Sequence, residues 1–332
     1  MKRKYQICSM GGDGIGPEVI DETLKLLQST SIDFDFVQAE IGFGAYEKCG
    51  IPLPEETVEK CRKSDAVLFG AITTPPNIKG YFSPIVRLRK TLELYANVRP
   101  FKSLPIQGQK QGIDFIIVRE NTEGLYVGRE RLTKEGAIAE RVITKKACKR
   151  IVTFAFDLAR KQKRKKVTAV HKANILRITD GLFLKIAKKV AQSYPDIMME
   201  EMLVDSCAMQ LIKKTEHFDI IVTTNMFGDI LSDEAAGLTG GLGVAASANV
   251  GERRGLFEPV HGSAPKYTGK NTANPTASFL SAAMMLDFLG EIKIAKRIRD
   301  SIFKTIKLGQ TTKDLGGTLK STEFTNKVIN NL

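Results

Sequence analysis

Tryptophan is missing altogether, and no apolar run comes near the roughly 20 residues that a membrane helix requires. A membrane-spanning helix is therefore excluded. The basic start Met1-Lys2-Arg3-Lys4 is followed only by a short apolar stretch before Gly11-Gly12-Asp13, too short for a secretory signal. The five cysteines (Cys8, Cys49, Cys61, Cys148, Cys207) are scattered, odd in number and lack a CxxC pair. That pattern argues against a zinc ribbon and a disulfide framework, and it predicts a reducing, cytoplasmic setting. Low-complexity linkers and repeats of 20–50 residues are also absent, so solenoids and propellers are excluded.

What remains is a globular composition. At 332 residues the chain is long enough for about two domains and for a large core. Fifty Lys and Arg against 37 Asp and Glu leave a net charge of +13, compatible with nucleic acid, an acidic surface or a small polyanionic substrate. The densest basic run, Arg160–Lys166, follows an amphipathic stretch and precedes an apolar one. It is expected to be a solvated helix end and turn, where cations complement the helix dipole. No nucleic-acid motif accompanies it and stacking aromatics are few, so no nucleic-acid partner is expected.

Short apolar runs at Ala66–Phe69, Phe115–Val118, Val167–Val170 and Ile220–Thr223 predict buried strands. The alternating Ile32–Val37 predicts a half-exposed one. Thr23–Leu27, Ala147–Ala159, Leu182–Ala191 and Ala277–Leu289 have helical spacing. This alternation of strands and helices predicts an α/β protein with a mainly parallel sheet. Tyr126–Val142 has weak periodicity and is expected to leave the main body.

Gly11–Glu18 (GGDGIGPE) superficially suggests a dinucleotide fingerprint, but the GxGxxG spacing is not met and no acidic ribose partner follows. A strand-to-helix turn is the better expectation, with Pro17 in the first helical turn. Arg87 and Arg89 lie in a helical stretch that Arg99 is expected to end, and Arg119 follows a strand. Such arginines would converge on carboxylates at the carboxyl edge of a sheet, although any one of them could be a surface ion pair. Asp229 and Asp233 are spaced to share a helix face, and Asp205 could add a third carboxylate. Oxygen donors without a nearby His or Cys suit Mg²⁺ or Mn²⁺. Lys172, directly after an apolar strand, and Tyr126 are candidates for proton transfer. The small residues of His261-Gly262-Ser263-Ala264-Pro265 let backbone approach phosphates.

In combination these motifs resemble the β-decarboxylating dehydrogenases, which act on isocitrate, isopropylmalate, homoisocitrate or tartrate. The resemblance runs from GDGIGPE to DLGG (Asp314–Gly317). It is most specific at IVRENTEGLYVG, HKAN, NMFGDILSDEAAG, FEPVHGSAP and ANPTA. It implies an isocitrate/isopropylmalate dehydrogenase-like α/β fold, not a standard Rossmann fold, with two domains and a cleft between them. Residues 1–99 plus 251–332 would bind the cofactor. Residues 100–250 would bind substrate and metal and form a homodimer with shared active sites, through an arm near 126–142. It further implies a small polycarboxylate substrate bound by Arg89, Arg99 and Arg119, with Thr74, Ser83 and Asn174 nearby. Asp229 and Asp233 would hold Mg²⁺ or Mn²⁺ with Asp205 of the other subunit, while Tyr126 and the partner copy's Lys172 move protons. Ile72, Thr73, Glu258, the loop His261, Gly262, Ser263, Ala264, then Lys266, Tyr267 and Asn274 would contact NADP or NAD.

Two positions depart from the family pattern. NAD-using members carry an aspartate after HGSAP, where this chain has Lys266-Tyr267, a pair that resembles NADP-using members. Isocitrate-acting members follow a serine with an asparagine two residues on; Ser83 fits and Ile85 does not. Isopropylmalate-acting members place leucines at Ile85 and Val86, and some homoisocitrate-acting members place an arginine at Val86. Two apolar side chains favour an isopropyl group, whereas the longer likeness over Gly80–Val86 and Tyr95–Pro100 favours homoisocitrate. A catalytically silent regulatory subunit is disfavoured, because Tyr126, Lys172, Asp205, Asp229 and Asp233 are all present.

Overall fold

The computed structural model describes residues 3–75, 77, 78, 80–106 and 109–332; Met1 and Lys2 of the basic start lie outside them. The strands are β1 (Lys4–Gly12), β2 (Asp33–Gln38), β3 (Ala66–Ala71), β4 (Ala96–Lys102), β5 (Asp114–Glu120), β6 (Glu130–Leu132), β7 (Ala137–Ala139), β8 (Lys166–His171), β9 (Met198–Leu203), β10 (Ile220–Thr223), β11 (Ala246–Val250) and β12 (Gly255–Pro259). Ten of them form one sheet in the order β2-β1-β3-β12-β11-β4-β5-β10-β8-β9. β6 and β7 pair only with each other, so the expected excursion is an exposed hairpin.

Burial follows the sequence pattern. β3 and β10 are buried at every position, as uninterrupted apolar runs require, while β2 alternates at an edge of the sheet. Helices cover both faces: Gly16–Gln28, Lys145–Lys161, Thr179–Ala191 and Thr276–Leu289 share one core, and Glu55–Lys63 and Asn225–Leu238 pack on the other face. The basic run ends the second of these, and Lys163 turns the chain at φ +57° into β8.

The sheet is parallel in its two wings and antiparallel at its centre. β2, β1, β3 and β12 run together, as do β5, β10, β8 and β9, but β11 and β4 each pair antiparallel with both neighbours. The wings therefore point in opposite directions, and there is no common carboxyl edge where the arginines could meet. They meet instead on one face of the antiparallel centre. Residues two apart on a strand share a face. The registers Arg119↔Asn97↔Asn249 and Arg99 beside Ser247↔Glu258 lay these six polar side chains in adjacent rows.

Arg99 also departs from expectation. The helix holding Arg89 spans only Pro84–Thr91, Glu93 turns at φ +54°, and Arg99 lies within β4. Proline at position 100 disfavours helical backbone at Arg99, consistent with its place in a strand.

Candidate active site

The polar stripe on the sheet is organised by amides. Asn97 donates to Ser247 Oγ (2.8 Å) and Asn249 Oδ1 (2.9 Å), and its own Oδ1 accepts Arg99 Nε at 2.8 Å. Asn249 Nδ2 donates to Glu258 Oε1 at 2.6 Å, and Arg89, from its helix, pairs with the same oxygen at 2.5 Å. Every guanidinium in this buried region is thus held by an oriented acceptor, as a buried charge demands.

The helix Asn225–Leu238 lies over this stripe and supplies the carboxylates. Arg119, 1% exposed, donates from Nε and Nη2 to Asn225 Oδ1 (3.1 and 2.7 Å) and pairs with Asp229. The close approach depends on Gly228, where a Cβ would lie 2.6 Å from Arg119 Cβ and Cγ. Arg99 donates to Ser232 Oγ at 2.5 Å and reaches Asp229 at 3.4 Å and Asp233 at 3.5 Å. The Tyr126 hydroxyl donates to the second oxygen of Asp229, and its ring lies 5.0 Å from the Arg119 guanidinium carbon. Lys90 fixes that segment by donating to the Tyr126 carbonyl at 2.7 Å.

The charges respond to this enclosure. Burial pushes the Asp229 carboxyl up, but Arg119, the Tyr126 hydroxyl and Arg99 outweigh it and hold Asp229 below the usual carboxylate range. Burial raises Asp233, with Arg99 opposing. Burial, then the bond to Asp229, raises the Tyr126 phenol, which favours its protonated form. Burial and the neighbouring Arg119 bring Arg99 down to about 10. It remains a cation at neutral pH.

Lys172 and Asp205 form a separate pair. Lys172 Nζ donates to Asp205 Oδ1 at 2.5 Å, and that bond is the main cause holding Asp205 below its usual range. The Lys172 backbone N–H is fixed on Asp180 (2.7 Å), which in turn pairs with Arg141. Among the described residues, no three His, Cys, Asp or Glu side chains of one chain are disposed to hold a metal ion. Asp229 and Asp233 share a helix; Asp205 is not brought to them.

The candidate cofactor loops come together at the carboxyl ends of β1, β3 and β12. Thr73 and Ser263 share a side-chain hydrogen bond at 2.7 Å, and the Ile15 N–H donates to the Ser263 carbonyl at 2.8 Å. Gly14 (φ +64°) permits this contact, since a Cβ there would lie 2.0 Å from that carbonyl oxygen. Asp13 receives the backbone N–H groups of Phe43, Gly44 and Thr73 at 2.8–3.0 Å. It organises the turn, a role its place in GGDGIGPE did not reveal. Burial lowers His261, whose Nδ1 faces the Gly262 carbonyl at 3.0 Å. Ala264 takes φ +39°, while Lys266 and Tyr267 are exposed. Asn274 is held by Asp314 of DLGG at 2.9 Å, a partner that sequence spacing did not reveal.

The remaining candidates are peripheral to these bonds. Thr74 and Asn174 are exposed, Ile72 packs on the core, and Ser83 sits at the helix start with no side-chain cap bond. Ile85 is buried in that core, whereas Val86 is half-buried, so the two apolar positions are not equivalent. Sequence pattern points to Asn225, just before the aspartate pair, but not to Asn97 and Asn249 as site builders. Their signal was asparagine within an apolar strand.

An α/β scaffold that collects guanidiniums, a phenol and carboxylates on one covered face can grip a polyacid and pass it a proton. The chain belongs to the isocitrate/isopropylmalate dehydrogenase family, whose pattern matches residues 6–329, and it is an oxidative decarboxylating dehydrogenase. It is 51% identical to the isocitrate/homoisocitrate dehydrogenase of Thermus thermophilus, over 98% of each chain. It is 50% identical to the 3-isopropylmalate/3-methylmalate dehydrogenase of Methanocaldococcus jannaschii, again over 98% of each. Its fold matches the crystal structure of isocitrate dehydrogenase from Methylococcus capsulatus with a TM-score of 0.96, at 43% identity over 98% of this chain and 99% of that one.

Proposed function

We propose that the protein oxidises homoisocitrate at its hydroxyl carbon and then decarboxylates it, with NADP or NAD as hydride acceptor and Mg²⁺ or Mn²⁺ as the metal. The supporting observation is the convergence of Arg99, Arg119, Tyr126, Asp229 and Asp233 on one face of the sheet. The residues fit the groups they would hold. Asp229 and Asp233 are hard oxygen donors, as Mg²⁺ and Mn²⁺ prefer. Buried donors remain unused at Arg89 Nε and Asn225 Nδ2 beside the cluster, and His261 Nε2 is likewise unpartnered in the small-residue loop. When bound, the dinucleotide takes the hydride and the divalent ion draws electrons from the hydroxyl oxygen.

Arg89, Arg99 and Arg119 clamp the substrate carboxylates through paired N–H donors. Asp229 and Asp233 would hold the ion, and with Asp229 so engaged Arg119 and the Tyr126 hydroxyl, which it holds here, would be free for substrate. Lys172 of a second copy mediates loss of the hydroxyl proton to solvent, and Tyr126 delivers its phenolic proton to the carbon exposed as carbon dioxide departs. The large apolar side chains left in water support such a second copy: Leu132 and Ile138 on the hairpin, Met209 and Ile212 on one helix, Ile230 on another. The opposed directions of the two wings support a reading as two domains, with the expected boundary at residue 99 lying inside β4. The five free cysteines fit a cytoplasmic setting.

The test is a substrate panel of homoisocitrate, isocitrate, 3-isopropylmalate and tartrate, each with NAD and NADP. Homoisocitrate should give the highest kcat/KM, NADP should be accepted through Lys266, and chelation should abolish turnover. A strong NAD preference would refute the role of Lys266. The half-buried Val86 favours 3-isopropylmalate as the second reading, and a higher kcat/KM for that acid would replace the first.

A further inference from the structure

At the edge of the first wing opposite the cofactor loops, four arginines line a cleft of about 350 Å³. Arg3 precedes β1, Arg62 ends the helix Glu55–Lys63, and Arg253 and Arg254 form the turn that enters β12. Ser64 and Asp65, just before β3, and Phe288 and Leu289, at the end of the helix Thr276–Leu289, complete the lining. All of this lies at the amino ends of β1, β3 and β12. The six residues of β3 put it about 20 Å from Thr73 and Ser263.

The charge balance of the cleft is uneven. Asp65 is the one carboxylate in its lining and is engaged by Arg3 at 2.6 Å. Arg62 is shared with Glu59 (2.5 Å) and Glu55 (3.6 Å) on its own helix. Arg253 and Arg254 have no carboxylate partner among the described residues. Gathering guanidiniums around one cleft with too few carboxylates costs free energy, and an anion that enters the cleft recovers it. The apolar wall of Phe288 and Leu289 reduces local screening and strengthens that attraction. The walls are anchored: the Tyr5 hydroxyl donates to Glu291 (3.0 Å) and the Leu289 carbonyl (3.3 Å), and Arg3 lies over the Tyr5 ring at 4.9 Å. The volume falls within the range of small-ligand sites.

We propose that this cleft is a second anion site, separate from the substrate site, which takes a small polyanion carrying phosphate or carboxylate groups on Arg253 and Arg254. Titration calorimetry of the whole protein with inorganic pyrophosphate and with citrate, in separate arms, tests it and tells the two sources apart. At least one probe should bind saturably with a Kd of about 1 mM or below and raise Tm. Arg253→Ala combined with Arg254→Ala should weaken that binding at least tenfold and remove the Tm rise, with unliganded Tm and basal turnover preserved. Arg119→Gln should leave it in place. Absence of saturable binding in both arms overturns the proposal, and so does a loss that follows Arg119 rather than Arg253 and Arg254.

Discussion

At the scale of single residues, the candidate site is a set of charges that neutralise one another. Asp229 is the hub, accepting from Arg119, Arg99 and Tyr126 at once. Its carboxyl lies below the ordinary aspartate value of 3.8 in the folded protein. The stabilisation it provides is therefore fully present above that value and is lost as pH falls through the depressed native one. Asp229→Asn should lower Tm at neutral pH, and the gap from wild type should narrow steadily on acidification into that range. A gap independent of pH in calorimetric scans would show that the charge contributes nothing. Tyr126→Phe tests the proton donor. Oxidation should persist while keto acid accumulates, with carbon dioxide release slowed by about 100-fold or more, the usual worth of a positioned acid. Quenched-flow analysis of keto acid against reduced cofactor would read this directly, and normal decarboxylation would reassign the role.

At the scale of elements, the decisive contact is a helix laid on a strand. Arg119 can be buried because the helix Asn225–Leu238 presents Gly228 to its stem and Asn225 and Asp229 to its head. Gly228→Ala puts a methyl group into space already filled and should destabilise the fold by about 1–3 kcal/mol. Because the displaced helix also carries Asp229 and Asp233, two of the three candidate metal ligands, turnover should fall at least tenfold, measured beside a urea melt. A neutral alanine would mean that the helix floats freely over β5. Much of this architecture was legible in advance. Fully buried strands such as β3 and β10 betray themselves by uninterrupted apolar runs, and the i,i+4 aspartates by helical spacing. The antiparallel centre was not legible, because pairing direction leaves no mark on a five-residue strand such as β11. Nor was the placement of Arg99, where a helical pattern gives way to a strand ahead of Pro100. The asparagine network went unread for a related reason: an amide inside an apolar strand gains meaning only when the register aligns Asn97 with Asn249 and Arg119.

At the scale of the whole molecule, the proposed site draws on groups that one chain does not bring together. Tyr126 and the Asp229–Asp233 pair lie in one cluster, whereas Lys172 and Asp205 are tied to each other elsewhere. Bulky apolar side chains such as Leu132, 87% exposed, stand in water beside these elements, and a closed two-fold dimer would cover them and exchange the missing groups reciprocally. Complementation separates shared from self-contained sites. Tyr126→Phe and Lys172→Ala should each abolish full turnover alone. Dissociated and reassociated in equal amounts, the two would give about half mixed dimers, and each mixed dimer would have one intact site and one doubly defective site. Activity should therefore recover to about a quarter of wild type, in step with the heterodimer fraction measured by native mass spectrometry. If both residues served the site of their own chain, every site in the mixture would remain defective and no activity would return at any mixing ratio.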